Sequence, residues 1–297
     1  MDELPDKPAA KSTPQPPSIR ARRLGALLRK LRVERDLALK EVAPQVQIDH
    51  TWLSRIEMGQ RRPKWPLVAA LLDTYGIEKS DPLYKDLVDL AKQLPKKGWW
   101  HSYGAKLSSP FADLLDLEDL AAGARTYEPS VVPGLLQVEE YTRAFLRESK
   151  YWERPEDVDR FAEVRMARQS ILTRQDPAPI LFWAILYEGV VRSLVGGPEV
   201  MRKQLRHLID ITDQPNVTLQ VLPYTAGAAT GMAGPFVVFD FTLATSGAVV
   251  VENLSGSLHL EEPEELIRYN AAFDHLRASS LPSRESKSLI SKIMKEI

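Results

Sequence analysis

The stretch from His50 to Arg55 carries side chains that can hydrogen-bond to the edges of nucleic-acid bases. An arginine can donate two parallel hydrogen bonds to O6 and N7 of guanine, and short polar side chains can reach other base edges or the thymine methyl group. If the stretch is helical, Leu53 faces the opposite side. The outer face then presents four candidates for reading DNA bases: His50, Thr51, Ser54 and Arg55.

Four neighbouring side chains suit contacts with the DNA backbone. Arg61, Arg62 and Lys64 follow directly after this stretch, where cations can reach phosphates, although basic residues on a surface can also simply be solvated. Trp52 has two interpretations, because its ring can pack at the margin of the helix or lie along the sugar-phosphate backbone. Both the phosphate contacts and the role of Trp52 are predictions.

The charge distribution supports a partner that is an anionic polymer. The whole chain of 297 residues has a formal net charge of −1. Residues 18–65, however, contain twelve Lys or Arg against five Asp or Glu, a net charge of +7, and the remainder carries −8. A basic module joined to a larger acidic body is typical of a DNA-binding domain with a regulatory domain.

The periodicity predicts that these residues lie in an all-α domain over residues 18–94. Leucines in the first segment recur at spacings of three and four and form one apolar stripe. Asp49 can cap a helix that starts at His50, and Gly59 can end it in the left-handed conformation. Similar signals indicate two helices before this one and two after it.

These segments resemble the XRE family, whose DNA-binding domain is like that of the lambda-type repressors and Cro. The resemblance rests on three linked motifs: Leu28–Arg32, Leu39–Ala43 and Leu53–Pro63. It implies that the start of the third helix and its arginine contact bases, and that Glu57 pairs with Arg32. Two more residues on the first two helices complete the candidate DNA-contacting set: Arg22 and Lys40.

The chain departs from the family pattern at the second helix and the turn after it. Relatives open this helix with Ser or Thr followed by Gln, whereas this chain has Ala38 and Leu39. The turn usually contains glycine, so Gln47 must adopt a strained or altered turn here. Pro44 lies inside the second helix, close enough to its start to be tolerated.

The rest of the chain divides into a tail, a linker and a second domain. Residues 1–17 are proline-rich and predict a disordered tail, and residues 95–110 predict a linker whose paired tryptophans pack on one of the two cores. After the linker, helical segments are followed by short apolar runs that are typical of β-strands. For residues 111–297 we predict an α/β or α+β domain with a mixed sheet of about five strands, at 180–186, 217–222, 236–241, 248–252 and 257–260.

The second domain is similar to the uncharacterised domain found behind XRE modules in many actinobacterial, WhiJ-like regulators. The segments that carry the similarity are Tyr127–Gln137, Arg165–Gln169, Val195–Gly197, Gln204–Leu205, Val221–Pro223 and Gly234–Phe236. The resemblance covers about residues 110–290. It implies a small partner protein encoded nearby, in an arrangement likened to antitoxin and toxin.

The second domain shows little sign of catalysis. The absence of cysteine excludes disulfides, thiolate zinc sites and cysteine nucleophiles, and the five histidines are scattered without ligand spacing. We therefore predict no enzyme activity, cofactor or metal. Arg165, Arg168 and Gln169 can either hold an anionic ligand or belong to a buried ion-pair network.

The sequence thus predicts a cytoplasmic, nucleoid-associated transcription regulator that binds a double-stranded operator as a homodimer, with no membrane contact. The second domain would receive a signal from a small ligand or a protein partner. Two alternatives stay open, an antitoxin-like autoregulator and an enzyme domain tethered to DNA. Convergent titratable residues in a deep pocket would favour the enzyme, and a shallow apolar groove would favour partner binding.

Overall fold

The computed structural model describes residues 18–95, 98–103, 107–149, 154–227, 234–241, 247–253 and 256–297. The chain forms two compact units, Met1–Lys96 and Lys97–Ile297. The predicted disordered tail, 1–17, lies outside the described residues. No helix in the described part of the chain is both long and apolar enough to cross a membrane.

The N-terminal unit is helical throughout its described residues, as the apolar periodicity predicts. Asp49 caps the third helix by accepting a hydrogen bond of 2.8 Å from the backbone N–H of Trp52, and Asp81 caps the fifth in the same way. The helices are α1 (Ile19–Val33), α2 (Leu39–Gln45), α3 (His50–Glu57), α4 (Trp65–Thr74) and α5 (Pro82–Gln93).

The core of this unit depends on a close approach of α1 and α3. A Cβ atom added at Gly25 of α1 would lie 2.2 Å from the carbonyl oxygen of Ile56, well inside van der Waals contact. Glycine therefore lets the two backbones meet, and Leu24, Leu28 and Leu53 on these helices are completely buried.

The start of α2 and the turn from α2 to α3 both lack the residues that are usual in the XRE family. Ala38 offers no side-chain cap to α2, but its backbone N–H donates a 2.7 Å hydrogen bond to the carboxylate of Glu41. Gln47 adopts a φ of 58°, in the left-handed region. The altered turn predicted at Gln47 is therefore confirmed, and a non-glycine residue holds a conformation that glycine adopts more easily.

The C-terminal unit is built on a six-stranded mixed sheet with the strand order β3-β2-β1-β4-β5-β6. The first three strands run parallel to one another, and the remaining contacts are antiparallel. The strands are β1 (Gly123–Glu128), β2 (Leu181–Tyr187), β3 (Val217–Leu222), β4 (Phe236–Asp240), β5 (Ala248–Asn253) and β6 (Gly256–Leu260). The helices are α6 (Ser109–Leu120), α7 (Glu139–Glu148), α8 (Pro155–Ala167), α9 (Glu188–Arg192), α10 (Pro198–Ile211), α11 (Pro263–Ser279) and α12 (Ser283–Glu296).

The mixed sheet matches the prediction, with six strands in place of about five. The strand that the sequence pattern does not reveal is β1, which lies between β2 and β4. Its residues do not alternate cleanly between apolar and polar, because both faces of the sheet are covered and one of them carries polar side chains. The predicted linker contains a short 3₁₀ helix, Trp99–Tyr103, in which Trp100 is buried.

Alternation along β1 directs neighbouring side chains to opposite faces of the sheet. On one face, Tyr127 packs in a cluster that includes Phe236 and, from α11, Phe273. On the other face, Thr126 and Glu128 line a pocket to which α6 and α8 also contribute side chains.

Candidate nucleic-acid interface and C-terminal pocket

Helix α3 presents a polar face to solvent. His50, Thr51 and Arg55 are exposed, whereas Ser54 is only partly so. Trp52 is 46% exposed, which leaves much of its ring surface available to a partner. Leu53 and Ile56 are buried on the other side of the helix, as predicted.

The C-terminal end of α3 is tied to α1 by a buried ion pair. Arg32 donates two hydrogen bonds to the carboxylate of Glu57, from Nε at 2.6 Å and from Nη2 at 2.8 Å. The two side chains are only 11% and 3% exposed. The remaining Nη1 donates to the carbonyl oxygen of Leu37 at 2.7 Å, which also fixes the chain before α2. The hydrogen bonds that Arg32 donates to Glu57 raise the pKa of Arg32. The predicted pairing is confirmed.

The segment after α3 is basic and exposed. Gly59 takes a φ of 71° and lies against the backbone of Arg22, so close that a Cβ would lie 2.5 Å from the Cα atom of Arg22. The chain then leaves the helix with Arg61, Arg62 and Lys64 exposed. These three cations therefore lie directly beyond the end of the polar face of α3.

The other two candidate DNA contacts differ in accessibility. Lys40 on α2 is exposed, whereas Arg22 on α1 is half-buried beside Gly59. The role of both side chains in DNA contact stays a prediction.

The C-terminal unit has a partly open pocket of about 170 Å³ on the face of the sheet that carries Glu128. Strands β1, β2, β4 and β5 form its floor, and side chains of α6, α7 and α8 cover it. The polar and charged residues that line it include Glu118, Thr126, Glu128, Gln137, Arg165, Arg168 and Glu252. Its apolar lining includes Phe111, Leu114, Phe145, Phe182, Val237 and Phe239.

Two arginines in the pocket have different surroundings. Arg168 forms a buried ion pair of 3.0 Å with Glu118. The Arg165 guanidinium instead lies over the rings of Phe111, Phe145 and Phe161 at 5.3 to 5.9 Å. Among the described residues no carboxylate forms an ion pair with Arg165. Arg168 therefore belongs to a buried ion pair, the second of the two predicted alternatives. The guanidinium of Arg165 forms no such pair within the described chain and could bind an anionic ligand.

Burial and like charges perturb the ionisation of this cluster. Burial raises the pKa of Glu118 to about 7, against the opposing effect of Arg168. Burial together with the charge of Glu252 raises the pKa of Glu128 to about 8. Desolvation lowers the pKa of Arg165 to about 10.

Gln169, the third predicted ligand-binding residue, has a different contact. Its side-chain amide donates hydrogen bonds of 3.0 and 2.7 Å to the carbonyl oxygens of Gly134 and Gln137, so it holds the loop that borders the pocket. Sequence reasoning missed the glutamates Glu118, Glu128 and Glu252 and the phenylalanines beside them. Only Glu128 falls within a motif that the sequence analysis identified. The described residues include no group of three or more His, Asp or Glu that could hold a metal ion.

Two family models match separate parts of the chain. Residues 111–292 match the family described as Domain of unknown function (DUF5753), and residues 23–81 match the family described as Helix-turn-helix domain. The chain is 43% identical over 56 residues to the HTH-type transcriptional regulator DdrOP3 of Deinococcus deserti. That match covers 19% of this chain and 43% of the relative, so the chain matches less than half of the relative's length.

Two crystal structures of the clp gene regulator ClgR from Corynebacterium glutamicum are also similar. They are 23% and 25% identical, cover 28% and 26% of this chain and 99% and 77% of their own, and both have a TM-score of 0.22. Because the family model over residues 111–292 accounts for more than half of the chain, the protein belongs to the DUF5753 family and carries an XRE-type helix-turn-helix domain before it.

Proposed function

We propose that the protein is a DNA-binding transcription regulator and that α3 is its recognition helix. The observation that carries the proposal is the exposed polar face of α3, held to α1 by the Arg32–Glu57 pair. A recognition helix places its N-terminal residues in the major groove while its apolar back packs on the preceding helices. The match to a helix-turn-helix regulator supports the same function.

The side chains at this surface divide into two roles. His50, Thr51, Ser54 and Arg55 lie on or beside the exposed face and would contact base edges, with Trp52 along the backbone. The exposed cations Arg61, Arg62 and Lys64 lie past the helix and would contact phosphates, as would Lys40 and Arg22. Phosphate contacts position the domain, and base contacts supply the sequence information.

Tight operator binding would require two copies of the chain. A single module of this kind buries roughly 600–1,000 Å² of protein surface on DNA, which is less than most specific complexes bury. Dimers of helix-turn-helix proteins contact two half-sites that lie about one helical turn apart. We therefore propose a homodimer on a palindromic operator.

The C-terminal domain would receive the signal that controls DNA binding. Its pocket is concave and partly open, and it combines apolar walls with a few charged groups, which is typical of a small-molecule site. This favours a small ligand over a protein partner as the signal.

A second candidate function is catalysis in the same pocket. Convergent titratable groups with raised pKa values, here Glu118 and Glu128, are a common feature of acid-base sites. Mass spectrometry of small molecules incubated with the full chain tests this candidate. Conversion that disappears in Glu128→Gln would support catalysis, whereas recovery of every bound molecule unchanged supports a receptor role.

Selection of the full chain on a randomised duplex library tests the regulatory proposal. We expect enrichment of a palindrome whose half-sites are about 10 base pairs apart. Footprinting on the chain's own promoter region should then protect that sequence. Recovery of unenriched DNA would contradict sequence-specific binding by this protein.

A further inference from the structure

The pocket contains three buried polar atoms that have no hydrogen-bond partner among the residues that the structure describes. They are Arg165 Nε, Arg168 Nε and Glu118 Oε2. Buried polar atoms are nearly always paired, because an unpaired one loses its bonds to water without replacement. Two of these atoms are donors and the third is an acceptor. A molecule that satisfies them must therefore carry both an acceptor and a donor.

The charges around these atoms indicate which acceptor and donor fit. Arg165 is held over aromatic rings, and its Nε has no hydrogen-bond partner among the described residues, although its charge interacts with Glu118, Glu128 and Glu252. Planar N–H pairs of arginine match the geometry of a carboxylate. Beside them, Glu128 is desolvated and repelled by Glu252, and Arg165 and Arg168 offset these effects only in part. A cation from the ligand would further relieve the repulsion between the two acidic groups.

The apolar walls limit the size of the rest of the molecule. Phe111, Phe145, Phe182 and Phe239 line a cavity of about 170 Å³. For comparison, an engineered apolar cavity of about 150 Å³ in another protein holds benzene. The ligand can therefore carry one ring or one branched alkyl group, and little more.

We propose that this pocket binds a small zwitterion with a carboxylate, an ammonium group and one apolar side chain, the chemistry of an apolar α-amino acid. The carboxylate accepts hydrogen bonds from Arg165 and Arg168, and the ammonium group donates to Glu118 and Glu128. The side chain lies among the phenylalanines. The assignment of the ligand does not depend on the regulatory function. The further statement that this ligand is the signal for the C-terminal domain does rest on the proposed regulatory function.

Calorimetric titration of the full chain with defined probes tests the assignment. The probes are L-phenylalanine and L-leucine, with 3-phenylpropanoate, which lacks the ammonium group, and 2-phenylethylamine, which lacks the carboxylate. We expect at least one of the two amino acids to bind, and both phenyl analogues to bind at least tenfold more weakly than the better amino acid. Absence of binding by both amino acids, or an analogue that binds as tightly, would overturn the proposal.

Three variants locate the binding site. Arg165→Gln and Glu128→Gln should each weaken binding of the amino acid by at least tenfold. The first removes the cation that pairs with the carboxylate, and the second removes the carboxyl group that can ionise when the ammonium group binds beside it. Arg160→Gln, an exposed position on the same helix as Arg165, is the matched control and should bind like the parent chain. Thermal unfolding establishes that the variants fold. If Arg165→Gln does not fold, Glu128→Gln decides, and unchanged binding in that variant refutes the proposal.

DNA titrations with and without the amino acid separate this proposal from the regulatory one. If the amino acid binds and shifts operator affinity by threefold or more, both proposals are supported. If it binds without changing DNA affinity, the pocket assignment stands and its role as the signal fails. If it does not bind, the pocket assignment fails, whatever the DNA selection shows.

Discussion

Arg32 and Glu57 are 25 residues apart in sequence and meet through two parallel hydrogen bonds of 2.6 and 2.8 Å. The pair joins the end of α1 to the end of α3, and Arg32 also bonds to the carbonyl oxygen of Leu37. One arginine therefore connects three segments of the helix-turn-helix domain. Since a charge left alone in this buried position would be poorly solvated, the pair should behave as a unit.

Loss of either partner of this pair should destabilise the N-terminal domain. Glu57→Ala should lower the free energy of opening by about 3 kcal/mol, because it leaves Arg32 buried without its carboxylate. Hydrogen exchange of amides in α1 and α3 of the full chain measures this quantity.

The double variant and an exposed pair provide the controls. Arg32→Ala combined with Glu57→Ala should cost less than the sum of the single changes. Glu34→Ala, which removes the half-exposed i,i+4 pair with Lys30, should cost less than about 1 kcal/mol. Additive losses for Arg32 and Glu57 would show that the two side chains do not interact.

Gly25→Ala should destabilise the same domain, although alanine is the better helix former. Helix propensity alone would stabilise α1 by about 1 kcal/mol. The added Cβ would, however, lie 2.2 Å from the carbonyl oxygen of Ile56, so we expect a net loss of roughly 1–3 kcal/mol. Ala26→Gly at the next, exposed position measures the propensity effect by itself. A stabilised Gly25→Ala chain would mean that α1 and α3 do not approach so closely.

Arg55 and Arg61 should have different effects on DNA binding. Arg55→Ala should cost about 1–3 kcal/mol on the selected operator and relax discrimination at one base pair. Arg61→Ala should weaken binding to operator and scrambled DNA alike, and reduce the salt dependence by about one phosphate contact. Binding titrations at several salt concentrations measure both effects. Equal weakening on all sequences by Arg55→Ala, with a specificity change for Arg61→Ala, would reverse the assigned roles.

Glu128 should make the C-terminal domain less stable as the pH rises from about 4.5 to about 8. The pKa of Glu128 is raised to about 8, so the folded state binds more protons than the unfolded state in this range. The contribution of Glu128 to the free energy of unfolding is therefore fully present below its pKa in the unfolded chain, about 4.5. It is lost as the pH rises through the pKa of Glu128 in the folded protein. Glu118, with a pKa of about 7, acts in the same direction.

Glu128→Gln tests this pH dependence, because glutamine resembles the protonated carboxyl at every pH. The variant should unfold at a higher temperature than the parent chain at pH 8 and at a similar temperature at pH 5. Glu264→Gln, on an exposed position near the start of α11, should leave the pH profile unchanged. A parent chain that gains stability between pH 5 and pH 8, with no effect of Glu128→Gln, would contradict the raised pKa.

The helix-turn-helix domain could be predicted from the sequence because its signals are local. Apolar spacings of three and four define the helices, and Asp49 marks the start of α3. The altered turn at Gln47, by contrast, is expected from the resemblance to a family that usually has glycine there. Helical phase alone separates Arg55 from Leu53 on α3. The pairing of Arg32 with Glu57 is a longer-range contact, and only the resemblance to a known family implied it.

The strand β1 and the pocket were decided by the tertiary structure. Covered on both faces, β1 has no clean alternation in its sequence, although it lies at the centre of the sheet. Glu118, Glu128 and Glu252 come from α6, from β1 and from β5, and no local pattern relates them. Their ionisation depends on burial and on one another's charges, which exist only once the sheet and its covering helices have assembled.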